Sequence, residues 1–119
     1  MNLDKVIACL KEIGFKPKVN DFQDRLVIQK IVYLLQRKGI NSKFEYNLHV
    51  RGPYSPELTK EIYDHKNSVE KLETSSTLNK TESKTVEEFK ELFSELKPSI
   101  LEVAATYSYF AFEQNQDVI

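Results

Sequence analysis

The chain has 119 residues, 29 % of them charged and 40 % hydrophobic, with seventeen basic against eighteen acidic side chains and a pI near 6.1. A chain of this length buries roughly two thirds of the surface its unfolded form exposes, so a single domain over residues 1–119 is expected without any staple. The balanced charge excludes a global field for nucleic acid or acidic lipid, and one cysteine excludes an internal disulfide and fits a reducing cytoplasm.

Leu3, Val6, Leu10 and Ile13 recur at helical spacing, with Asn2 as N-cap and Gly14 as the left-handed stop, which predicts a first helix over Leu3 to Ile13. Its acids interrupt any continuous signal core, so secretion is not expected. Pro17 ends helical continuity through Asn20. Asp21 then caps a second helix running to Gly39, with Asp24 in a capping-box-like position. Leu26, Val27, Ile28, Ile31, Val32, Leu34 and Leu35 spread apolar surface beyond one stripe, which makes this helix the buried centre of the fold. Gln29, Tyr33 and Gln36 share one narrow face of it, either a buried polar seam or a docking surface.

Between Lys43 and Arg51 the period changes to 2, with Phe44, Tyr46, Leu48 and Val50 on one side, the pattern of a half-buried strand. Its expected partner is the segment Val69 to Leu78, giving a small two-stranded sheet. In RGPYSPEL, Gly52-Pro53 makes a turn, Ser55 is an N-cap and Pro56 suits the first position of a third helix over Pro56 to His65. Residues 67–85 are rich in Ser and Thr and read as a flexible loop or a weak hairpin. Thr85 with Glu88 forms a capping box for a helix carrying Val86, Phe89, Leu92, Phe93 and Leu96. Pro98 or Ser99 opens a last helix to about Glu113, apolar on most sides and expected to pack on the second helix. The fold class is therefore mainly α (α+β), with about five helices around a central buried helix and a two-stranded β element. The last apolar stretch is too short and too polar to cross a bilayer, so no membrane partner is expected.

Chemistry-bearing patterns are sparse. Cys9 has only His49 and His65 as conceivable bases and carries no local activating signal, so it reads as a packed thiol and the chain as no enzyme. Two histidines and one cysteine at unrelated spacings make no metal site, and the three glycines form no phosphate loop, so no cofactor is expected. Helix, helix, strand, helix and a hairpin would also outline a winged helix. Its third helix would then read DNA with Lys60 and Lys66, although Glu57 at the entering end would repel phosphate.

The stretches IQKIVYLLQRKGI and FEYNLHVRGPYSPEL resemble the family of small bacterial and archaeal proteins that includes the Panacea, or SocA-like antitoxin, domain and the related YwgA-like proteins. The likeness covers about Arg25 to Tyr63. It rests on Gln29, Lys30, Tyr33 and Leu34 in the helix and on Arg51, Gly52, Pro53, Tyr54, Ser55, Pro56 and Leu58 in the turn. The resemblance implies a mostly helical domain without catalytic residues. It also implies binding of a partner protein, as antitoxins bind toxins and as SocA presents one to a protease. The residues themselves carry a compatible reading: Arg51 and Tyr54 at a rigid turn, beside Gln29 and Tyr33, are the aromatic and arginine anchors common in interfaces. The weightier reading of Arg51 and Tyr54 is that they lock strand to helix, with Gly52, Pro53, Ser55 and Pro56 shaping the turn. Exposed aromatics of this kind would also serve a homodimer.

Overall fold

The computed structural model describes residues 1–117, with side chains described through Phe112. Among the described residues there are six helices and one two-stranded antiparallel sheet: α1 Leu3–Ile13, α2 Phe22–Arg37, β1 Asn47–His49, β2 Gly52–Tyr54, α3 Pro56–Asp64, α4 Lys66–Lys71, α5 Lys80–Leu92 and α6 Pro98–Asp117. Every residue from Leu26 to Leu35 in α2 is buried, polar ones included, so α2 is the axis on which the other elements pack. The core around it draws on Val6, Ile7 and Leu10 of α1, Leu58 and Ile62 of α3, Val86 and Phe89 of α5, and Leu101 and Ala105 of α6.

The ends of α1 and α2 follow from local chemistry. The Asn2 side chain accepts the Lys5 amide at 3.0 Å, and Gly14, at φ 86°, closes α1 by donating to the Leu10 and Lys11 carbonyls. Asp21 accepts the Asp24 amide at 3.1 Å, but the Asp24 carboxylate does not return the bond. It accepts the Lys18 amide at 2.8 Å and so fixes the preceding loop instead.

The β element differs from expectation in partner and extent. β1 pairs with β2, not with the segment after Val69, through a hairpin whose turn is Val50-Arg51 and whose register is Asn47↔Tyr54, Leu48↔Pro53 and His49↔Gly52. Gly52-Pro53 accordingly lies in a strand and not in the turn. Phe44 and Tyr46 do point inward, but the backbone at Phe44 is satisfied by the Gln36 side-chain amide. Gln36 accepts the Phe44 N–H at 3.0 Å and donates to its carbonyl at 3.1 Å. With that substitute no strand partner is needed before Asn47. The hairpin then projects past the core, leaving Leu48 partly and Val50 fully exposed.

The segment 67–85 is neither hairpin nor one long loop. It contains α4, which buries Val69 and ends at Leu72 with φ 54°, and the first turns of α5. The N-cap of α5 is Asn79, not Thr85. Asn79 accepts the Glu82 amide at 2.8 Å, and Glu82 accepts the Asn79 amide at 3.0 Å. Thr85 lies inside the helix, its hydroxyl donating to the Thr81 carbonyl. The sheet precedes α3 and no strand follows it among the described residues, so the winged-helix outline is not the architecture found. Helix α6 packs along α2 and against β2, yet only one side of it is buried: Ile100, Val103, Tyr107 and Phe110 face outward.

Candidate protein-binding surface

The RGPYS segment is held from below by the adjacent residues Gln29 and Lys30 of α2. Gln29 is 1 % exposed and uses its side-chain amide as a substitute peptide group. Its Nε2 donates to the Ser55 carbonyl at 2.9 Å while its Oε1 accepts the Ser55 N–H at 2.9 Å. The same Nε2 reaches Thr59 Oγ1 at 2.9 Å, which joins α2 to the first turn of α3. Ser55 in turn caps α3 by accepting the Leu58 amide.

Lys30, also 1 % exposed, donates from Nζ to the Pro53 carbonyl at 2.7 Å. Burial holds its pKa down at about 8; the Glu102 carboxylate opposes that fall and the Arg51 cation adds to it. A proline carbonyl in β2 is thus matched by a desolvated ammonium. Gly52 is required at the same junction. Its φ is +92°, and a Cβ there would sit 2.5 Å from Thr106 Oγ1 of α6.

Tyr33, 1 % exposed, meets the Tyr46 ring edge-on at a centroid distance of 5.1 Å and accepts Arg37 Nε at 3.0 Å. The Arg37 guanidinium lies over the Phe112 ring at 3.7 Å, which fastens α6 to the end of α2. The Tyr46 hydroxyl donates to the Gln29 carbonyl at 2.8 Å, and burial raises its pKa well above the ordinary phenol value. The polar face of α2 is therefore a buried seam. Gln29 and Tyr33, two of the four residues read as partner contacts, are buried: Gln29 braces the hairpin and Tyr33 packs on Tyr46 and Arg37.

The other two reach the surface. Arg51 is exposed at the tip of the hairpin, its guanidinium 5.2 Å from the centroid of Phe22. Tyr54 is half-buried, its hydroxyl 2.7 Å from Thr59 Oγ1 and its ring 5.0 Å from that of His49. Next to Arg51 the structure gathers three residues that the sequence reading did not single out as contacts. Phe22 opens α2 and Tyr63 lies near the end of α3; both are close to half exposed. Arg25 lies between them, 5.8 Å from the Phe22 centroid and 5.5 Å from that of Tyr63, and is anchored by donating from Nη1 to the Val19 carbonyl at 2.8 Å. Two guanidiniums and two aromatic rings from α2, the hairpin and α3 thus form one patch. No spacing along the chain announces it, because α2, the hairpin and α3 meet only in the folded chain.

Nucleophilic chemistry has no support at Cys9. The thiol is buried in α1, and desolvation, with Glu82 and Glu12 adding to it, pushes its pKa up to about 12, so it stays protonated at neutral pH. Among the described residues no group of His, Cys, Asp or Glu side chains is placed to hold a metal ion, and no helix is long and apolar enough to cross a membrane. No protein-family model matches the chain, and no curated protein or solved structure matches it either.

Proposed function

We propose that this chain is a non-enzymatic protein-binding module of the antitoxin or adaptor kind, and that its partner docks on the Phe22–Arg25–Arg51–Tyr63 patch with Tyr54 at the border. The observation that carries the reading is the build of that patch. Arginine and aromatic side chains, the types that dominate binding hot spots, are stacked on one another at the surface, with Arg51 exposed and Arg25 partly buried and tied to the Val19 carbonyl. Such anchors lose little freedom when a partner arrives, which is how a small surface gains affinity. The two guanidiniums call for a partner that brings carboxylates or carbonyls to the patch. The resemblance of the α2 and RGPYSPEL segments to the Panacea family adds the antitoxin or adaptor role.

The test is a pull-down from nuclease-treated host lysate with the wild type, Phe22→Ala, Arg51→Asp and a surface control, Lys11→Ala. The expected result is one protein retained by the wild type and the control and lost by both patch variants, followed by a 10- to 100-fold weaker Kd for Arg51→Asp with the purified partner, roughly 1.4–2.7 kcal/mol. Equal retention by all four proteins would remove the patch from the interface.

A further inference from the structure

We propose that the outward face of α6, together with the β-hairpin tip, is where a second copy of this chain docks, giving a two-fold dimer with antiparallel α6 helices. This surface adjoins the arginine–aromatic patch at Arg51 on the hairpin tip but is built from other residues and does not rest on that reading.

Helix α6 buries one side on α2 and β2 through Leu101 and Ala105 and turns the other to solvent. On that outer side Val103 is 70 % exposed and Tyr107 76 %, with Ile100 and Phe110 each at half, and the hairpin adds Leu48 and a fully exposed Val50. The spacing Ile100, Val103, Tyr107 and Phe110 keeps the four on one stripe. Hairpin and helix together wall an open groove of about 730 Å³.

Area and charge favour a second copy as the occupant. Scaled by the surface such side chains carry, the six residues leave roughly 700 Å² in water, close to the ~800 Å² that each partner gives a standard interface and above the ~300–600 Å² patch of an ordinary monomer. Glu102 is the sole charged residue from Pro98 to Phe112; it is half-buried, lies near Lys30 and lines the groove. The four stripe residues are uncharged, and the charges that flank them, Glu102 in the groove and Arg51 at the hairpin tip, are of opposite sign, so a second copy brings a matching stripe and a complementary charge. A two-fold axis perpendicular to α6 sets the stripe against itself, with Val103 and Tyr107 nearest the axis and the hairpin tip of each copy beside the helix of the other. An uninterrupted apolar stripe is self-complementary in that arrangement.

Sedimentation equilibrium of the whole chain across the micromolar range reads the outcome. The wild type should approach twice 13.9 kDa with rising concentration. Tyr107→Glu, which sets two carboxylates near the axis, should stay at 13.9 kDa with an unchanged helical circular dichroism spectrum. A wild type that remains monomeric, or a Tyr107→Glu protein that dimerises like it, would overturn the proposal. Should that variant fail to fold, Val103→Cys decides. Cys9 is buried, so mild oxidation should yield a covalent dimer from Val103→Cys and none from Lys11→Cys, and equal cross-linking of the two would equally refute it.

Discussion

A side-chain amide that imitates a peptide group is the smallest unit on which this fold depends. Gln29 supplies three hydrogen bonds to Ser55 and Thr59 in a place closed to water. Gln29→Ala leaves the Ser55 N–H and carbonyl unpaired, and we expect a loss of about 2–4 kcal/mol in urea unfolding, since each orphaned buried polar group costs ~1–3 kcal/mol. A smaller loss than 1 kcal/mol would mean that water enters the seam. Gly52 is tested by Gly52→Ala, where the φ of +92° alone should cost about 1–2 kcal/mol and the approach to Thr106 Oγ1 adds to it. Thr106→Ala in the same chain should restore the steric part only, leaving the backbone strain. The sequence made the polar character of Gln29 and Tyr33 visible, and their shared face as well. Whether that face met solvent or backbone depended on the hairpin lying over it, which no i, i+4 spacing records.

At the scale of elements, α5 shows how two good start signals are resolved. Asn79-x-x-Glu82 and Thr85-x-x-Glu88 are both capping boxes in the chain, and the apolar period begins only at Val86, which favours the second on paper. The structure takes the first because tertiary partners extend the helix. Lys5 pairs with Glu82, and Ser83 bonds Glu12 at 3.1 Å, both across to α1. Asn79→Ala should therefore cost about 1 kcal/mol, the usual worth of an N-cap. Thr85→Ala should be neutral or stabilise by up to ~0.5 kcal/mol, because alanine is the better helix former in mid-helix. The opposite order in thermal unfolding would return the start of α5 to Thr85. The same limit governed the β element: alternation from Lys43 to Arg51 disclosed an extended segment, but a strand partner is a long-range choice, and Gln36 had already met the backbone needs of Phe44. By contrast α1, the start of α2 and the Ser55-Pro56 start of α3 were legible because caps within three residues determine them.

The whole molecule responds to pH through groups buried where its elements meet, and Lys30 sets the rising limb. Packed between α2, β2 and α6, it titrates at about 8 in the folded chain against 10.5 unfolded. Between those values the unfolded chain holds a proton that the folded chain does not, so stability rises with pH. The gain is complete above 10.5 and lost as pH falls through 8. The full difference is worth at most about 3 kcal/mol, of which no more than ~1 kcal/mol falls between pH 7 and 9. Cys9 and Tyr46 act in the other direction. Their folded pKa values lie above the ordinary 9.0 and 10.0, so the unfolded chain gives up their protons first and stability declines as pH rises past those values. Where the rising limb of Lys30 meets the falling limbs of Cys9 and Tyr46, we expect stability to peak, at about pH 9–10. In low-salt thermal scans the wild-type Tm should climb from pH 7 to 9 and then fall. Lys30→Met, which removes the titrating group and leaves a pH-independent loss of the Pro53 hydrogen bond, should show no climb. Cys9→Ala should keep the climb and move the maximum to higher pH. Wild-type and Lys30→Met curves that run parallel from pH 7 to 9 would mean that the ammonium is hydrated in the native state, and the clamp on the hairpin would then rest on Gln29 and Tyr46 alone.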